Sequence, residues 1–356
     1  MNEIKVLMLG GKRCGKTTVL SSMFGSINDA LAGTGLAINV DPETNTALSK
    51  ARSVIINKMR EFEKPLTSCE VEENPSDAAR SYSFYMTSAG DGRSHGGNIP
   101  FKIYDIPGEW LTDENSTKVK GLIKECQVIL IAIDTPYLFA KMTDKGYGQY
   151  HEQANKPVEI TNFFKDTLSV EDLQDRMILF VPLKCERYYH LDRSKHLREF
   201  GRRYMSEITK SVYAGYKDLI HYLRSCDELI NSCTIAVTPI LSAGGIDFIS
   251  FKKDEATQKM VSYYQAPEFV RDDERGYCPK FCEQPMVYIL SYLLFQVVRN
   301  QNVNTNNNKK LFRFSSNMNQ QQMHGALMTI RSKMKRNSGI SIDEDGYFFI
   351  QNPHNL

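Results

Sequence analysis

The chain has 356 residues, 41% hydrophobic and 24% charged, which is enough apolar material for a sizeable core in one large domain or two. Its net charge of +2 excludes a strong overall field directed at nucleic acid or an anionic membrane. Its longest apolar run, residues 287–298, is short of the about 20 residues a membrane span requires, and no span is expected. The 8 cysteines are scattered with no secretory leader ahead of them, so they read as free thiols of a cytoplasmic protein, and the Cys278/Cys282 spacing completes no zinc set.

Residues 4–10, IKVLMLG, predict a strand buried on both faces and stopped by glycine, and TTVLSSMFGSI (17–27) predicts the helix after it. LAINV (36–40) predicts a short strand. Residues 41–64 predict a helix capped by Asp41, with Pro42 in its first turn and Leu48, Val54, Ile55 and Met59 as its apolar residues. Residues 80–86 alternate as a strand, 90–98 are a polar turn, a strand ends at Asp105, and 109–120 offer a helix. Buried strands follow at 126–134, within 175–186 and within 234–245. Helical spacing runs over 194–231, with Leu197, Phe200, Tyr204, Ile208, Leu219 and Leu223, and an apolar helix follows at 286–299.

Strands alternating with helices predict an α/β fold of three layers around a mostly parallel central sheet. The expected organisation is one domain over 1–299 with an insertion around 26–100, an Asn-rich linker over 300–315, and a small C-terminal α+β appendage over 316–356. In that appendage Met323, Leu327, Ile330 and Met334 share a helical face, and a hairpin turns at Asp345-Gly346.

GGKRCGKT, residues 10–17, satisfies G-x-x-x-x-G-K-[ST] at every fixed position, between a predicted strand and a predicted helix. Gly10, Gly11 and Gly15 let the loop backbone, through Lys12, Arg13, Cys14, Lys16, Thr17 and Thr18, aim its N–H groups at phosphate oxygens. The helix N-terminus adds its positive end. Lys16 is expected to reach the β- and γ-phosphates, and Thr17 to offer its hydroxyl to Mg²⁺.

Three further signals follow in order, each at a strand end. DIPG (105–108) fits D-x-x-G, with Asp105 for Mg²⁺ opposite Thr17 and the Gly108 N–H for the γ-phosphate. LKCE (183–186) stands where N-K-x-D is usual: Lys184 matches, Glu186 replaces the Asp and Leu183 the Asn. A carboxylate at 186 accepts from guanine N1–H and the 2-amino group and repels the N1 lone pair of adenine. In LSAGG (241–245), Ser242 and Ala243 match a short backbone motif for guanine O6.

With these four motifs the chain resembles the TRAFAC class of P-loop GTPases, which includes the Ras-like and translation-factor GTPases. The DIPGEW and VPLKCE variants, with CEQP near 282, resemble more narrowly the bacterial double-GTPase domains of conflict and defence systems. The resemblance covers residues 1–299. It implies a G-domain fold, binding of GTP or GDP with Mg²⁺, hydrolysis, and a protein partner that reads the switch loops.

The departures matter as much. Glu109 stands where many GTPases orient water with Gln or His; a carboxylate cannot donate to a phosphate oxygen, so hydrolysis is expected to be slow or completed by a partner. The alternative for Glu109 is a solvent-facing helix start. Lys12 and Arg13 stand where small residues are usual: Lys12 is a candidate cation for the transferring phosphoryl group, and Arg13 reads as facing solvent or a partner. The switch threonine is taken as Thr67, with Thr34 as the alternative, and Trp110 reads as a core anchor ahead of an exposed partner contact. Two other functions stay open: an ATPase of another P-loop clade, and a nucleotide-holding interaction module without turnover. Nothing points to nucleic acid, and the oligomeric state is open.

Overall fold

The computed structural model describes residues 3–59, 68–72, 79–89, 99–139, 151–193, 203–225, 233–253, 260–266, 276–303, 320–335, 342, 345–354 and 356. The strands are β1 (Ile4–Leu9), β2 (Leu36–Val40), β3 (Ser68–Glu72), β4 (Arg80–Ser88), β5 (Ile99–Asp105), β6 (Val128–Asp134), β7 (Met177–Leu183), β8 (Thr234–Val237), β9 (Gly244–Gly245), β10 (Asp247–Lys253), β11 (Met260–Gln265), β12 (Gly276–Tyr277) and β13 (Phe348–Gln351). The helices are α1 (Lys16–Gly25), α2 (Ile27–Leu31), α3 (Pro42–Met59), α4 (Ser116–Glu125), α5 (Thr135–Phe139), α6 (His151–Ala154), α7 (Pro157–Thr167), α8 (Glu186–Arg193), α9 (Tyr204–Gly215), α10 (Lys217–Leu223), α11 (Gln284–Val303) and α12 (Gln320–Lys333).

Eight strands form the main sheet in the order β13-β8-β7-β6-β1-β5-β4-β2. The run β8-β7-β6-β1-β5 is parallel, and β4 and β13 pair antiparallel with their neighbours. Both faces are covered, so the central strands are apolar up to their C-terminal ends: every residue of β6 and β7 is buried, including Asp134 at the end of β6. β1 divides its side chains between two cores. Val6 and Met8 pack with α1, α11 and α12 on one face, and Leu7 and Leu9 with α4, α7, α9 and α10 on the other. The result is a three-layer α/β fold with a mostly parallel sheet.

Because β1, β5, β6, β7 and β8 run parallel, their C-terminal ends open on one side of the sheet. That side carries the glycine loop, DIPG, Asp134, LKCE and LSAGG, the crevice where open α/β sheets bind ligands. A smaller antiparallel sheet, β10-β11-β3, and the pair β12-β9 stand beside the LSAGG turn.

Several local expectations change. The 109–120 segment begins with two 3₁₀ turns and becomes α-helical only at Ser116, where the Val119/Ile123 spacing starts to bury a face. The 204–223 stretch is two helices, divided at Tyr216, whose buried ring and hydroxyl bond to the Asn155 carbonyl fix a non-helical backbone. In α3, Asp41 caps by accepting from the Glu43 and Thr44 N–H groups, and Leu48 is buried; Val54 is exposed, because six residues from Leu48 is the wrong phase for one face. Trp110 is half-buried under Lys118. Leu197, Phe200 and the 90–98 turn lie outside the described residues.

The C-terminal helix and strand are a late addition in sequence but share the main core. α11 runs on to Val303, and Met323, Ala326, Leu327, Ile330 and Met334 are buried in the same cluster as β1 and α11. β13 pairs with β8, so its sheet partner is the main sheet; residues 336–341, where the other arm of the expected hairpin would lie, are outside the described residues. Ile330→Ala should therefore lower global stability by about 2–4 kcal/mol, the usual cost of emptying a buried Ile site. In urea unfolding the whole transition should shift; loss of a separate C-terminal transition alone would contradict a shared core.

Candidate functional site

The glycine loop is shaped by contacts that admit no side chain. A Cβ built on Gly11 would lie 1.8 Å from the Ala154 carbonyl oxygen, and one on Gly10 would lie 2.7 Å from that of Ala132. Gly15, at φ +107°, makes the turn into α1, where a Cβ would be strained. Lys16 opens that helix, is buried, and donates from Nζ to the Gly10 and Gly11 carbonyls at 3.0 Å each. Its ammonium therefore spans the start of the loop. Cys14 is buried beneath, and burial raises its thiol pKa, so it stays protonated and inert.

The second motif closes on the first. Thr17 Oγ1 donates to Asp105 Oδ2 at 2.8 Å across 88 residues of sequence. Burial raises the Asp105 carboxyl above its ordinary value, with the Lys16 ammonium and the Thr17 hydroxyl opposing the rise. Gly108 lies on bare loop backbone: a Cβ there would sit 2.2 Å from the Lys12 nitrogen. The next side chain, Glu109, pairs with Lys12 at 2.6 Å. Glu109 therefore faces the loop, and no α-helix starts at it. Arg13, at φ +66°, is exposed.

The far end of the loop is tied to β7. Lys184, at φ +58°, reaches back to donate to the Arg13 carbonyl at 3.4 Å and to Asp134 Oδ2 at 2.5 Å. Its side chain is 8% exposed and that of Asp134 3%, so this is a buried ion pair. Burial opposes the Lys184 charge, but the Asp134 carboxylate outweighs it and holds the ammonium pKa above its ordinary value. The Phe248 ring lies 4.6 Å from the same ammonium.

Glu186 is buried, and its Oε1 accepts from the Ala243 N–H at 2.7 Å, the Gly244 N–H at 3.3 Å and the Ser242 hydroxyl at 3.4 Å. The LKCE and LSAGG segments are thus joined directly, and burial raises the Glu186 carboxyl against those donors. Of the candidate switch threonines, Thr67 lies outside the described residues, and Thr34 uses its hydroxyl to hold the turn from Leu31 to Leu36. Among the described residues, no three His, Cys, Asp or Glu side chains gather as a metal-binding group.

Sequence reasoning missed a buried support beneath the loop. Asn155 exchanges both hydrogen bonds with the Asp134 backbone, at 2.8 Å from its N–H and 3.1 Å to its carbonyl, which fixes the amide orientation. Its Nδ2 then donates to His151 Nδ1 at 3.0 Å, so the His151 proton sits on Nε2, facing the Gly215 carbonyl at 3.3 Å. Asp134 was signalled by its position, a carboxylate closing an apolar strand. Nothing marked Asn155, whose role depends on the packing of α6 against Gly11.

No family model matches the chain, and no curated protein matches it. Among solved structures it is similar to the LeoA bacterial dynamin GTPase from ETEC, at 12% identity and a TM-score of 0.31, over 68% of this chain and 30% of that one. The chain thus spans less than a third of that protein's length.

Two outcomes test the geometry. Lys184→Met, which strands the Asp134 charge in the core, should cost about 3 kcal/mol in urea unfolding, and adding Asp134→Asn should recover part of it. Burial lowers the His151 pKa below its ordinary value, so the unfolded chain binds its proton more readily. That contribution is present above the unfolded value near pH ~6.5 and is lost as pH falls through the folded one. Stability should fall on acidification below neutral pH, and His151→Gln should flatten the slope.

Proposed function

We propose that the protein is a Mg²⁺-dependent GTP-binding switch of the TRAFAC type that hydrolyses GTP to GDP and phosphate. One observation carries the reading: segments 88 and 171 residues away, Asp105 and Lys184, both bond into the 10–17 loop. A glycine-rich turn of purely structural origin has no need of either. Backbone N–H groups of residues 10–18 and the Lys16 ammonium would hold the phosphates.

Thr17 and Asp105 are adjacent hard oxygen donors and fit Mg²⁺, which commonly takes one or two protein ligands and keeps its waters. When bound, the ion would neutralise charge on the β- and γ-phosphate oxygens. Glu186 and the Ala243 N–H now satisfy each other. A guanine edge offers the same partners to both, with N1–H and the 2-amino group for the carboxylate and O6 for the N–H. Adenine offers the carboxylate no donor at N1, which gives the preference its physical basis.

Glu109 is paired with Lys12 and has no proton to give, so intrinsic turnover is slow and a partner protein that reads the DIPG turn completes the site. Cytoplasmic residence belongs to the same proposal. The Glu109 pairing also favours a second reading, in which the nucleotide is held without turnover. Binding and hydrolysis of GTP and ATP by wild type, Lys16→Ala and Glu186→Ala separate the cases. Lys16→Ala should weaken binding by about tenfold or more, the loss of charge-assisted bonds to phosphate. Glu186→Ala should level GTP against ATP. Equal potency of the two nucleotides on wild type would remove the GTPase reading, and tight GTP binding without turnover, partner included, would leave the second.

A further inference from the structure

The 10–17 loop and the DIPG turn meet through one pair of opposite charges. Lys12 Nζ lies 2.6 Å from Glu109 Oε1. The backbone below this pair is in contact: a Cβ on Gly108 would be 2.2 Å from the Lys12 nitrogen and 2.4 Å from the Gly11 carbonyl carbon. Four residues before Glu109, Asp105 is bonded to Thr17, so the turn is pinned to the loop on both sides of Gly108. Glu109 is held there by a three-residue 3₁₀ turn, too short to supply a helix dipole that would account for its charge. The chain therefore keeps an anion of its own on the loop's cation.

We propose that Glu109 is an internal competitor for the terminal phosphate and that, by occupying Lys12, it sets how strongly the site discriminates a nucleoside triphosphate from a diphosphate. This rests on the nucleotide reading above. A terminal phosphate arriving beside Lys12 meets a carboxylate already seated there and must displace it; a diphosphate, which lacks that group, leaves the pair undisturbed. Although burial alone would raise the Glu109 pKa, the hydrogen bond from Lys12, a backbone N–H and the charges of Lys12 and Lys16 hold it below the ordinary value, so the competitor stays charged at neutral pH. The side chains are 44% and 37% exposed, which lets the pair open without unfolding its surroundings and limits the size of the effect.

The experiment measures equilibrium affinity of the full chain for GTPγS and for GDP, each with Mg²⁺. It compares wild type with Glu109→Gln, Glu109→Asp, Lys12→Gln and the Lys12→Gln/Glu109→Gln double variant, and takes thermal midpoints without nucleotide as a check on folding. Glu109→Gln should raise GTPγS affinity about fivefold and leave GDP nearly unchanged, the scale expected for one half-exposed like-charge contact. Glu109→Asp, which keeps the charge, should keep the wild-type ratio. Lys12→Gln should lower GTPγS affinity, and the gain from Glu109→Gln should shrink in its background. A Glu109→Gln protein that folds and leaves the GTPγS/GDP ratio unchanged, or shifts both nucleotides equally, would overturn the competitor role while leaving the nucleotide reading intact. Wild type that binds neither nucleotide would overturn both.

Discussion

The site depends on backbone meeting backbone with no side chain between. Gly10 lies against Ala132, Gly11 against Ala154, and Gly108 against Lys12, each at a separation a methyl group would violate. These contacts fix the glycine loop relative to β6, to α6 and to the DIPG turn at once. Every polar interaction of the site is built on that placement: the Thr17–Asp105 bond, the Lys12–Glu109 pair and the reach of Lys184 to the Arg13 carbonyl. Elsewhere in the molecule a lost methylene leaves a cavity; here an added one would separate the loops whose groups must converge.

The base end follows a different logic, in which most buried polar groups are already paired within the chain, although Asp134 Oδ1 accepts no hydrogen bond. Glu186 answers the Ala243 N–H, Lys184 answers Asp134, and Asn155 answers both backbone groups of Asp134. On the proposed reading, a ligand at Glu186 would have to replace an internal partner, so selectivity would lie in which group can do so.

Much of this was legible in the sequence because the strands carry their own signal. Continuous apolar runs marked β1, β6 and β7, and the motif residues stand at their ends as the parallel order requires. What was not legible depends on tertiary approach. The helices α5 and α6 are too short to show an apolar period, whereas α7 has one in Ile160, Phe163 and Phe164 that was open to reading; β11, the partner of β10, is held by pairing with β3, distant in sequence. Asn155 is an ordinary polar residue until α6 is folded beneath the loop. The break at Tyr216 follows Gly215, but one glycine inside a helical run does not by itself mark a break. The switch threonine stays unassigned because the strongest candidate, Thr67, falls outside the described residues, and Thr34 is committed to a turn.

The pairing of β13 with β8 has a consequence for biosynthesis. β8 is complete once Val237 is made, but the strand that covers its outer edge spans Phe348–Gln351, more than a hundred residues later. Through that interval the nascent sheet presents an uncovered row of backbone donors and acceptors, of the kind that invites pairing with another chain. Protection of the β8 edge therefore waits on a short strand made long after it, and misassociation through that edge is possible until β13 is in place.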